Sequence, residues 1–420
     1  MTATMDLTNT WSASNASNGS LLGEVLIRSR VWLSRFICVM DDADLDILAL
    51  WAVHTHFCDV SYTTPRLQID STMPNSGKTT VLEHLERLSF NPLQASSISS
   101  PALIPRMIDK GLTTILIDEA DRTLDPKKPE VGELIAIINA GYKRGASRPT
   151  LVPVAGGGWD VHRMPTYSPI AIAGNAPALP DDTRTRIIRV LLMPDFNGTV
   201  EESDWENIEP MAGDLLEAIS QAADEFRENV RTARPELPEG CIGRMKEKWN
   251  PLRRIAEVAG GRWPGVVDEL IRRDIEEVNM ERADGISKLP PAVTLLRDVH
   301  ATWGDTLFKP SSVIALQLAK HNPEMWGMQN YMGKTITTKR MAGMLSQAFK
   351  IHSKQRSDGD RARGYYRAEF ENAWERFGHT PPNQSVPSVQ SSPSVQNLPI
   401  CTECGDLLDD TETNIHQACA

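Results

Sequence analysis

The feature that most constrains this chain is a short glycine-containing turn between two segments of different periodicity. Residues 67–71 (Leu-Gln-Ile-Asp-Ser) have the pattern of a β-strand, and residues 81–88 (Val-Leu-Glu-His-Leu-Glu-Arg-Leu) have helical spacing. Residues 72–79 (Thr-Met-Pro-Asn-Ser-Gly-Lys-Thr) match the phosphate-loop pattern GxxxxGK[ST], except that Thr72 stands at the first glycine. A strand, a loop and a helix in this order predict an α/β fold with an anion-binding site at the helix start.

The chemistry of a phosphate loop accounts for these residue types. Backbone N–H groups at a helix start surround an anion, Gly77 permits close approach of the backbone, and Lys78 brings a positive charge to the terminal phosphates. The hydroxyl of Thr79 is suited to Mg²⁺. The alternative is a Gly-Lys-Thr at an ordinary helix start. With ATP and Mg²⁺ as the expected ligands, the predicted binding residues are Pro74, Asn75, Ser76, Gly77, Lys78, Thr79 and Thr80.

A second motif follows the phosphate loop, where an apolar segment ends in two carboxylates. Residues 113–117 (Thr-Thr-Ile-Leu-Ile) have the composition of a buried strand, and Asp118 and Glu119 come directly after them, 40 residues beyond Lys78. The first carboxylate can hold Mg²⁺ through water, and the second can orient or deprotonate the attacking water. Either acid can instead cap a helix. The pair predicts ATP hydrolysis, with Asp118 binding Mg²⁺ and Glu119 catalytic.

Two further polar positions are candidates for the same reaction. Residues 169–174 form a third strand-like segment, and Asn175 at its end can position the attacking water, although an asparagine that merely makes a turn is the alternative. Arg186 can stabilise transition-state charge on the γ-phosphate of a neighbouring subunit, with Arg184 as its substitute. The ordinary role of such arginines is a surface ion pair. The prediction for Arg186 requires a homo-oligomer, for example a hexameric ring.

Between the acid pair and Asn175 lies an insertion with three consecutive glycines. Two extended runs flank these glycines within residues 148–165, which predicts a long β-hairpin. In ring-shaped ATPases an insertion at this point often faces the central channel. Trp159, His162 and Arg163 are therefore candidates for stacking on a DNA strand and neutralising it. The alternative is a hairpin that packs on its own domain.

Composition indicates where this core operates and how the chain is divided. A formal net charge of −11 over 420 residues argues against a protein that coats nucleic acid over its whole surface. The longest apolar run, residues 47–53, is too short to span a bilayer, and scattered cysteines without an export signal indicate a cytoplasmic protein.

The predicted units are a disordered tail (1–20), a helical segment (21–64), a P-loop core (65–200), a helical lid or bundle (201–288), a basic module (289–377), a linker (378–400) and a zinc-binding tail (401–420).

The basic module carries the strongest local charge. Residues 333–367 contain nine basic and two acidic side chains, a net +7 that leaves −18 for the rest of the chain. Thr338 is the expected N-cap of a helix ending at Phe349, and a small winged-helix-like fold fits the pattern. The stretch either contacts DNA phosphates or is a solvated basic face. The predicted contacts are Lys339, Arg340, Arg361 and Arg363.

The last twenty residues contain a candidate zinc site. Two residues separate Cys401 from Cys404, two separate His416 from Cys419, and eleven lie between the pairs. This spacing can close a tetrahedral Cys₃His site, and so short a tail needs a metal to fold. Free thiols are the alternative. We expect a zinc knuckle that docks nucleic acid or protein.

The order of these motifs resembles the DUF3631 P-loop domain of phage, prophage and actinobacterial mobile-element proteins, often found beside primase or helicase modules. The resemblance covers about residues 45–377. The segments that carry it include Leu-Trp-Ala-Val-His-Thr-His (50–56), Thr-Pro-Arg-Leu (64–67), Ser-Gly-Lys-Thr-Thr (76–80), Leu-Ile-Asp-Glu-Ala-Asp (116–121), Asn-Ala-Gly-Tyr-Lys-Arg-Gly (139–145), Trp-Asn-Pro-Leu (249–252) and Ile-Ala-Glu-Val-Ala-Gly-Gly (255–261). It implies an AAA+ or RecA-like ATPase core in the DNA metabolism of a mobile element, similar to helicase or helicase-loader engines.

Three functions remain open at this point. The leading expectation is an oligomeric motor that hydrolyses ATP and acts on DNA, with a replication protein as a further partner. The rival is a switch, such as a loader or a defence sensor, whose ATP state controls assembly without translocation. A small-molecule kinase with the same loop is the third, although the sequence offers no evident acceptor pocket.

Overall fold

The computed structural model describes residues 20–378, apart from 74, 97, 99, 125–130, 155, 176, 178, 284–289, 330–332 and 357–361. The chain divides into two compact units, Met1–Met280 and Glu281–Ala420. Several predictions lie outside the described residues: those for the tail 1–19, for nearly all of the linker, for Pro74 and Arg361, and for Cys401, Cys404, His416 and Cys419.

A five-stranded parallel sheet forms the centre of the first unit, in the order β2-β3-β6-β1-β7, while β4 and β5 pair as a separate antiparallel hairpin. The strands are β1 (Arg66–Ser71), β2 (Pro92–Ala95), β3 (Thr114–Ile117), β4 (Ser147–Pro153), β5 (Trp159–Pro165), β6 (Ile170–Gly174) and β7 (Ile187–Leu192). Because the five strands are parallel, their carboxyl ends share one edge, where sheets of this kind bind ligands. The predicted α/β sheet and the predicted hairpin are both confirmed.

Helices cover both faces of the sheet. Successive side chains of a strand point to opposite faces, so Leu116 and Ala171 join one core while Ile115 and Ile172 join another. The helices of this unit are α1 (Leu21–Phe36), α2 (Ala43–Thr55), α3 (Lys78–Leu88), α4 (Leu103–Ile108), α5 (Ala120–Thr123), α6 (Val131–Ala140), α7 (Asp181–Arg184), α8 (Trp205–Thr232), α9 (Gly243–Ala259) and α10 (Trp263–Ala283).

The larger of the two cores joins segments that are far apart in the chain. Helices α1, α2, α3, α8, α9 and α10 pack together on one face of the sheet, and α4 and α6 pack on the other. The N-terminal helices and the helices after residue 200 therefore share a core with the strand that precedes the phosphate loop. Among the described residues, no helix is both long enough and apolar enough to cross a membrane.

A buried histidine anchors α3, the helix that follows the phosphate loop. The indole N–H of Trp32 donates to Nδ1 of His84 (2.9 Å), so Nε2 carries the ring proton and donates to Oγ of Ser203 (2.9 Å). Burial, together with the guanidinium groups of Arg87 and Arg35, lowers the pKa of His84 to about 3, which keeps the ring neutral. These bonds tie α3 to α1 and to the segment before α8.

The second unit combines helices with a small antiparallel sheet. Its elements are α11 (Pro291–Trp303), β8 (Phe308–Pro310), α12 (Ser311–His321), α13 (Pro323–Trp326), α14 (Thr338–Phe349), β9 (Lys354–Gln355), β10 (Arg363–Tyr366), α15 (Ala368–Ala373) and a π-helical turn (Trp374–Gly378). The strand order is β8-β10-β9. Thr337 caps α14 by accepting from the N–H of Arg340 (3.1 Å), so the predicted cap at Thr338 is wrong by one residue. Either threonine can accept such a bond, and the sequence does not distinguish them.

Candidate phosphate site at the carboxyl edge of the sheet

The loop between β1 and α3 turns through two residues in the left-handed conformation. Asn75 has φ 58° and Gly77 has φ 80°, and Gly77 is the N-cap of α3. Asparagine and glycine are the residues that adopt this conformation most readily. Thr72, at the position of the missing glycine, does not have a positive φ. The backbone therefore does not require glycine there, and the departure from the motif is compatible with the loop's course.

The first turn of α3 reaches the ends of three strands. Lys78 Nζ donates to Oγ of Ser71 at the end of β1 (2.6 Å) and to Oδ1 of Asn175 after β6 (2.8 Å). Thr79 Oγ1 donates to Oδ2 of Asp118 after β3 (3.0 Å). Four predicted residues from three separate segments thus form two hydrogen-bonded pairs, Lys78 with Asn175 and Thr79 with Asp118. Thr80 belongs to the same turn, and Oγ of Ser76 donates to the carbonyl of Met73 within the loop (2.8 Å).

The position of β6 in the sheet explains why Asn175 belongs to this group. Strand β6 lies between β1 and β3, so the residue after it falls between the phosphate loop and the acid pair. A lysine ammonium only donates, which identifies the amide atom facing Lys78 as Oδ1. The Nδ2 group of Asn175 is then directed away from Lys78. The amide has one end on the lysine and offers two N–H donors at the other.

Two polar residues of β1 take part in the site without having been predicted. Ser71 accepts from Lys78, and its own N–H donates to Oδ1 of Asp70 (2.8 Å). Asp70 is only 3% exposed and pairs with Arg189 of β7 (Oδ2 to Nη2, 2.8 Å). A carboxylate within a strand that is buried on both faces is the signal in the sequence, because a buried charge requires a partner.

Glu119 lies beside the site, but its carboxylate is paired elsewhere. Its backbone is left-handed (φ 48°), and its N–H donates to Oδ1 of Asp118 (2.8 Å). Its carboxylate accepts from Nη1 of Arg122 (3.0 Å to Oε2), and both side chains of this pair are half-exposed or more. An exposed pair of this kind is weak. Little free energy is therefore needed to release the Glu119 carboxylate.

Arg186 lies at the opposite edge of the sheet from the phosphate loop. It immediately precedes β7, and its carbonyl accepts from the N–H of Arg66, the first residue of β1 (3.0 Å). A strand of six residues is about 20 Å long, and this length separates Arg186 from the phosphate loop at the other end of the strands. The side chain is buried, with Nη1 bonded to Asp182 (3.1 Å to Oδ1) and Cζ 4.8 Å from the ring centre of Tyr142. Arg186 therefore cannot serve the nucleotide of its own chain. Arg184 is exposed.

The hairpin divides its three predicted contact residues between two faces. Trp159 (69% exposed) and Arg163 share a face with Leu151 and Val161, which are also exposed. His162 is on the other face, where its Nε2 lies 2.8 Å from Oδ2 of Asp109 at the end of α4. The structure therefore groups Trp159 with Arg163 and gives His162 an anchoring contact.

Basic side chains of the second unit are concentrated in residues 333–367, the stretch that includes α14, β9 and β10. Lys339 is exposed at the start of α14, and Arg340 beside it is partly exposed. Arg363 is exposed on β10, and its Nε donates to Oγ of Ser353 (3.1 Å). Residues 333–356 include six Lys or Arg and no Asp or Glu. Lys354, one of the six, is paired with Glu369.

In the part of the chain that the structure describes, no group of three or more His, Cys, Asp or Glu is arranged to hold a metal ion. The predicted zinc ligands lie beyond residue 378, so the zinc tail stays a prediction. Thr79 and Asp118 would supply two protein ligands to Mg²⁺. So few protein ligands are expected where Mg²⁺ takes its other ligands from phosphates and water.

The second half of the chain matches a known protein family. Residues 196–377 match the family described as "Protein of unknown function (DUF3631)". Over these residues the chain is similar to that family. The match is shorter than the expected 45–377, and both the phosphate loop and the acid pair lie outside it.

One curated protein and two kinds of solved structure are similar to this chain. An uncharacterized 28.9 kDa protein in the xis 5′ region of Saccharopolyspora erythraea is 29% identical over 165 residues, and the match covers 38% of this chain and 59% of that protein. The apo structure of the NrS-1 C-terminal region has a TM-score of 0.34 at 11% identity, covering 83% of this chain and 76% of that one. The Thermotoga maritima RuvB Holliday junction branch migration motor has a TM-score of 0.24 at 12% identity, covering 80% and 94%. Scores of this size do not by themselves establish a shared fold.

Proposed function

We propose that this chain is an ATP-hydrolysing P-loop protein of the AAA+ or RecA-like kind that acts on DNA, as a helicase-like or helicase-loader-like motor of a phage or mobile element. The observation that carries the proposal is the convergence of Lys78, Thr79, Asp118 and Asn175 at the carboxyl edge of one parallel sheet. Each of these residue types has a separate task in ATP hydrolysis.

The donor set fits a nucleotide with Mg²⁺. Thr79 donates its hydroxyl proton to Asp118, which leaves the hydroxyl lone pairs available to a hard cation. The free backbone N–H groups at the start of α3 suit phosphate oxygens. Lys78 donates to Ser71 and Asn175, and its third N–H can reach a phosphate oxygen while the bond to Asn175 is kept. Mg²⁺, when bound, neutralises charge on the phosphates.

Glu119 and Asn175 are the proposed groups for the attacking water. Asn175 holds its amide between Lys78 and the acid pair, with Nδ2 available as a donor. Glu119 is exposed enough to leave Arg122 and accept a proton from water. Arg184, which is exposed at the far edge of the sheet, would act on the nucleotide of a second copy. Arg186 would do so after leaving Asp182 and Tyr142.

Two surfaces are proposed to contact DNA. The exposed face of the hairpin offers the Trp159 ring for stacking and Arg163 for a phosphate, and the strand residues on that face include no carboxylate. In the second unit, α12 to α14 are proposed to act as a helix-turn-helix within a winged-helix-like module, with α14 placing Lys339 and Arg340 on the duplex. The zinc tail is proposed as an additional docking segment for nucleic acid or a replication protein.

ATP turnover with and without DNA tests this function against the switch. For a motor, we expect single-stranded or duplex DNA to raise kcat severalfold and the protein to displace a paired strand. Slow turnover that DNA does not change, with assembly that depends on a partner protein, would favour the ATP-dependent switch. Failure to bind ATP would contradict both functions.

The basic face of the second unit makes a separate prediction about salt. The double variant Lys339→Ala/Arg340→Ala should weaken DNA binding about equally for all sequences. Its plot of log affinity against log salt should be less steep by about 2 if each side chain contacts one phosphate. Fluorescence anisotropy at several salt concentrations measures both quantities. Lys246→Ala, an exposed helical lysine of the first unit, is the control. An unchanged salt slope in the double variant would remove α14 from the DNA interface.

A further inference from the structure

A third carboxylate beyond the acid pair contacts the strand that carries Asn175. Oδ1 of Asp121, in α5, accepts from the backbone N–H of Asn175 (3.3 Å). The neighbouring Gly174 shows how closely the two segments approach. A Cβ at Gly174 would lie 3.0 Å from both the N and the Oδ1 of Asp121, nearer than ordinary contacts allow. Glycine therefore lets the first turn of α5 dock against the end of β6.

This contact links the acid-pair segment to the phosphate loop through a single residue, Asn175. The Asn175 peptide is held by Asp121, and the Asn175 side chain accepts from Lys78 (2.8 Å) and from Oγ of Ser71 (3.2 Å). The side chain therefore extends from a backbone position that Asp121 restrains. A small rotation of that peptide would move the amide relative to both Lys78 and the water site.

We propose that Asp121 is a positioning residue for ATP hydrolysis, acting through Asn175. The carboxylate holds the Asn175 peptide so that the amide keeps one end on Lys78 and the other toward the attacking water. This role rests on the proposed ATPase function. Asp121 itself forms no bond to phosphate or metal in this role, so its loss affects the rate of hydrolysis more than nucleotide affinity.

The two substitutions that test this role differ in whether they keep the acceptor. Asp121→Ala removes the oxygen that receives the Asn175 N–H, whereas Asp121→Asn keeps an oxygen at the same place and removes only the charge. We expect Asp121→Ala to lower kcat about tenfold or more, because misplacement of a reacting group is costly, while KM and the ATP dissociation constant change less than about twofold. Asp121→Asn should recover most of the rate. Asp214→Ala, which removes an exposed carboxylate from α8, is the matched control.

A double-mutant cycle shows whether Asp121 acts through Asn175. If it does, the variant Asp121→Ala/Asn175→Ala should be no slower than Asn175→Ala alone, because the second change removes the group that Asp121 positions. Additive losses, or a loss in kcat that Asp121→Asn does not recover, would overturn the proposal. Thermal unfolding of each variant identifies any that lower kcat simply by failing to fold.

The wild-type protein separates failure of this role from failure of the ATPase function. If wild type binds ATP but does not turn it over, the ATPase proposal falls, and the role of Asp121 falls with it. If wild type turns ATP over and the cycle is additive, only the positioning role is lost.

Discussion

Replacement of Lys78 by alanine is expected to reduce ATP turnover by at least about 100-fold, the effect typical of losing one preorganised donor to transition-state charge. In the structure Lys78 is the cation that spans the ends of β1 and β6, through Ser71 and Asn175. ATP affinity should also fall, because the ammonium contacts the phosphates before as well as during the reaction. Steady-state turnover and equilibrium binding of a fluorescent ATP analogue measure the two effects.

The Lys78 variant has a simple control. Lys110→Ala removes an exposed lysine from the turn after α4, in the same unit, and should leave turnover unchanged. Lys78 is partly exposed, so its removal should change the melting temperature little. A Lys78→Ala protein that is folded and turns ATP over at the wild-type rate would show that this loop is not the catalytic site.

Replacement of Glu119 by glutamine should lower kcat by about 10²- to 10⁴-fold, the range usual for loss of a general base. Nucleotide binding should survive, because the contacts expected to hold ATP come from the loop and from Lys78 and Thr79. The predicted signature is an enzyme that binds ATP and retains it. Single-turnover measurements with labelled ATP separate the slow chemical step from binding.

Glu133→Gln is a closely matched control for this variant. Glu133 is 49% exposed in its side chain and pairs with Arg148, while Glu119 is 50% exposed and pairs with Arg122. The two substitutions therefore remove equivalent surface ion pairs, and only one lies at the acid pair. Equal effects on kcat would mean that Glu119 contributes as a surface charge and not as a base.

The parts of the site that are contiguous in sequence were predictable, because their geometry is local. The loop of residues 72–79 requires a turn into a helix, and the left-handed residues in it are Asn75 and Gly77, which suit that conformation. The acid pair follows a strand that is buried at every residue, as its apolar sequence predicts. The distance in space between the acid pair and the phosphate loop depends on strand order, which a single sequence does not specify. Asn175 meets Lys78 only because β6 lies between β1 and β3.

Contacts between distant segments account for what sequence reasoning left out. The pairing of Asp70 with Arg189 and the bond from Asn175 to Asp121 join residues 119 and 54 positions apart. The placement of His162 is different, because it was predictable. In a strand, residues 159 and 163 share a face and residue 162 lies on the other, so alternation alone separates His162 from Trp159 and Arg163.

The opposite locations of the phosphate loop and Arg186 have a consequence for how copies can assemble. If an arginine from the amino edge of one sheet serves the nucleotide at the carboxyl edge of another, two unlike surfaces meet, and the contact is heterologous. Repetition of a heterologous contact gives a closed ring when the rotation between copies divides a full turn, and an open filament when it does not. Every copy in such an array points the same way around it. The assembly would therefore have an intrinsic direction before any DNA is bound.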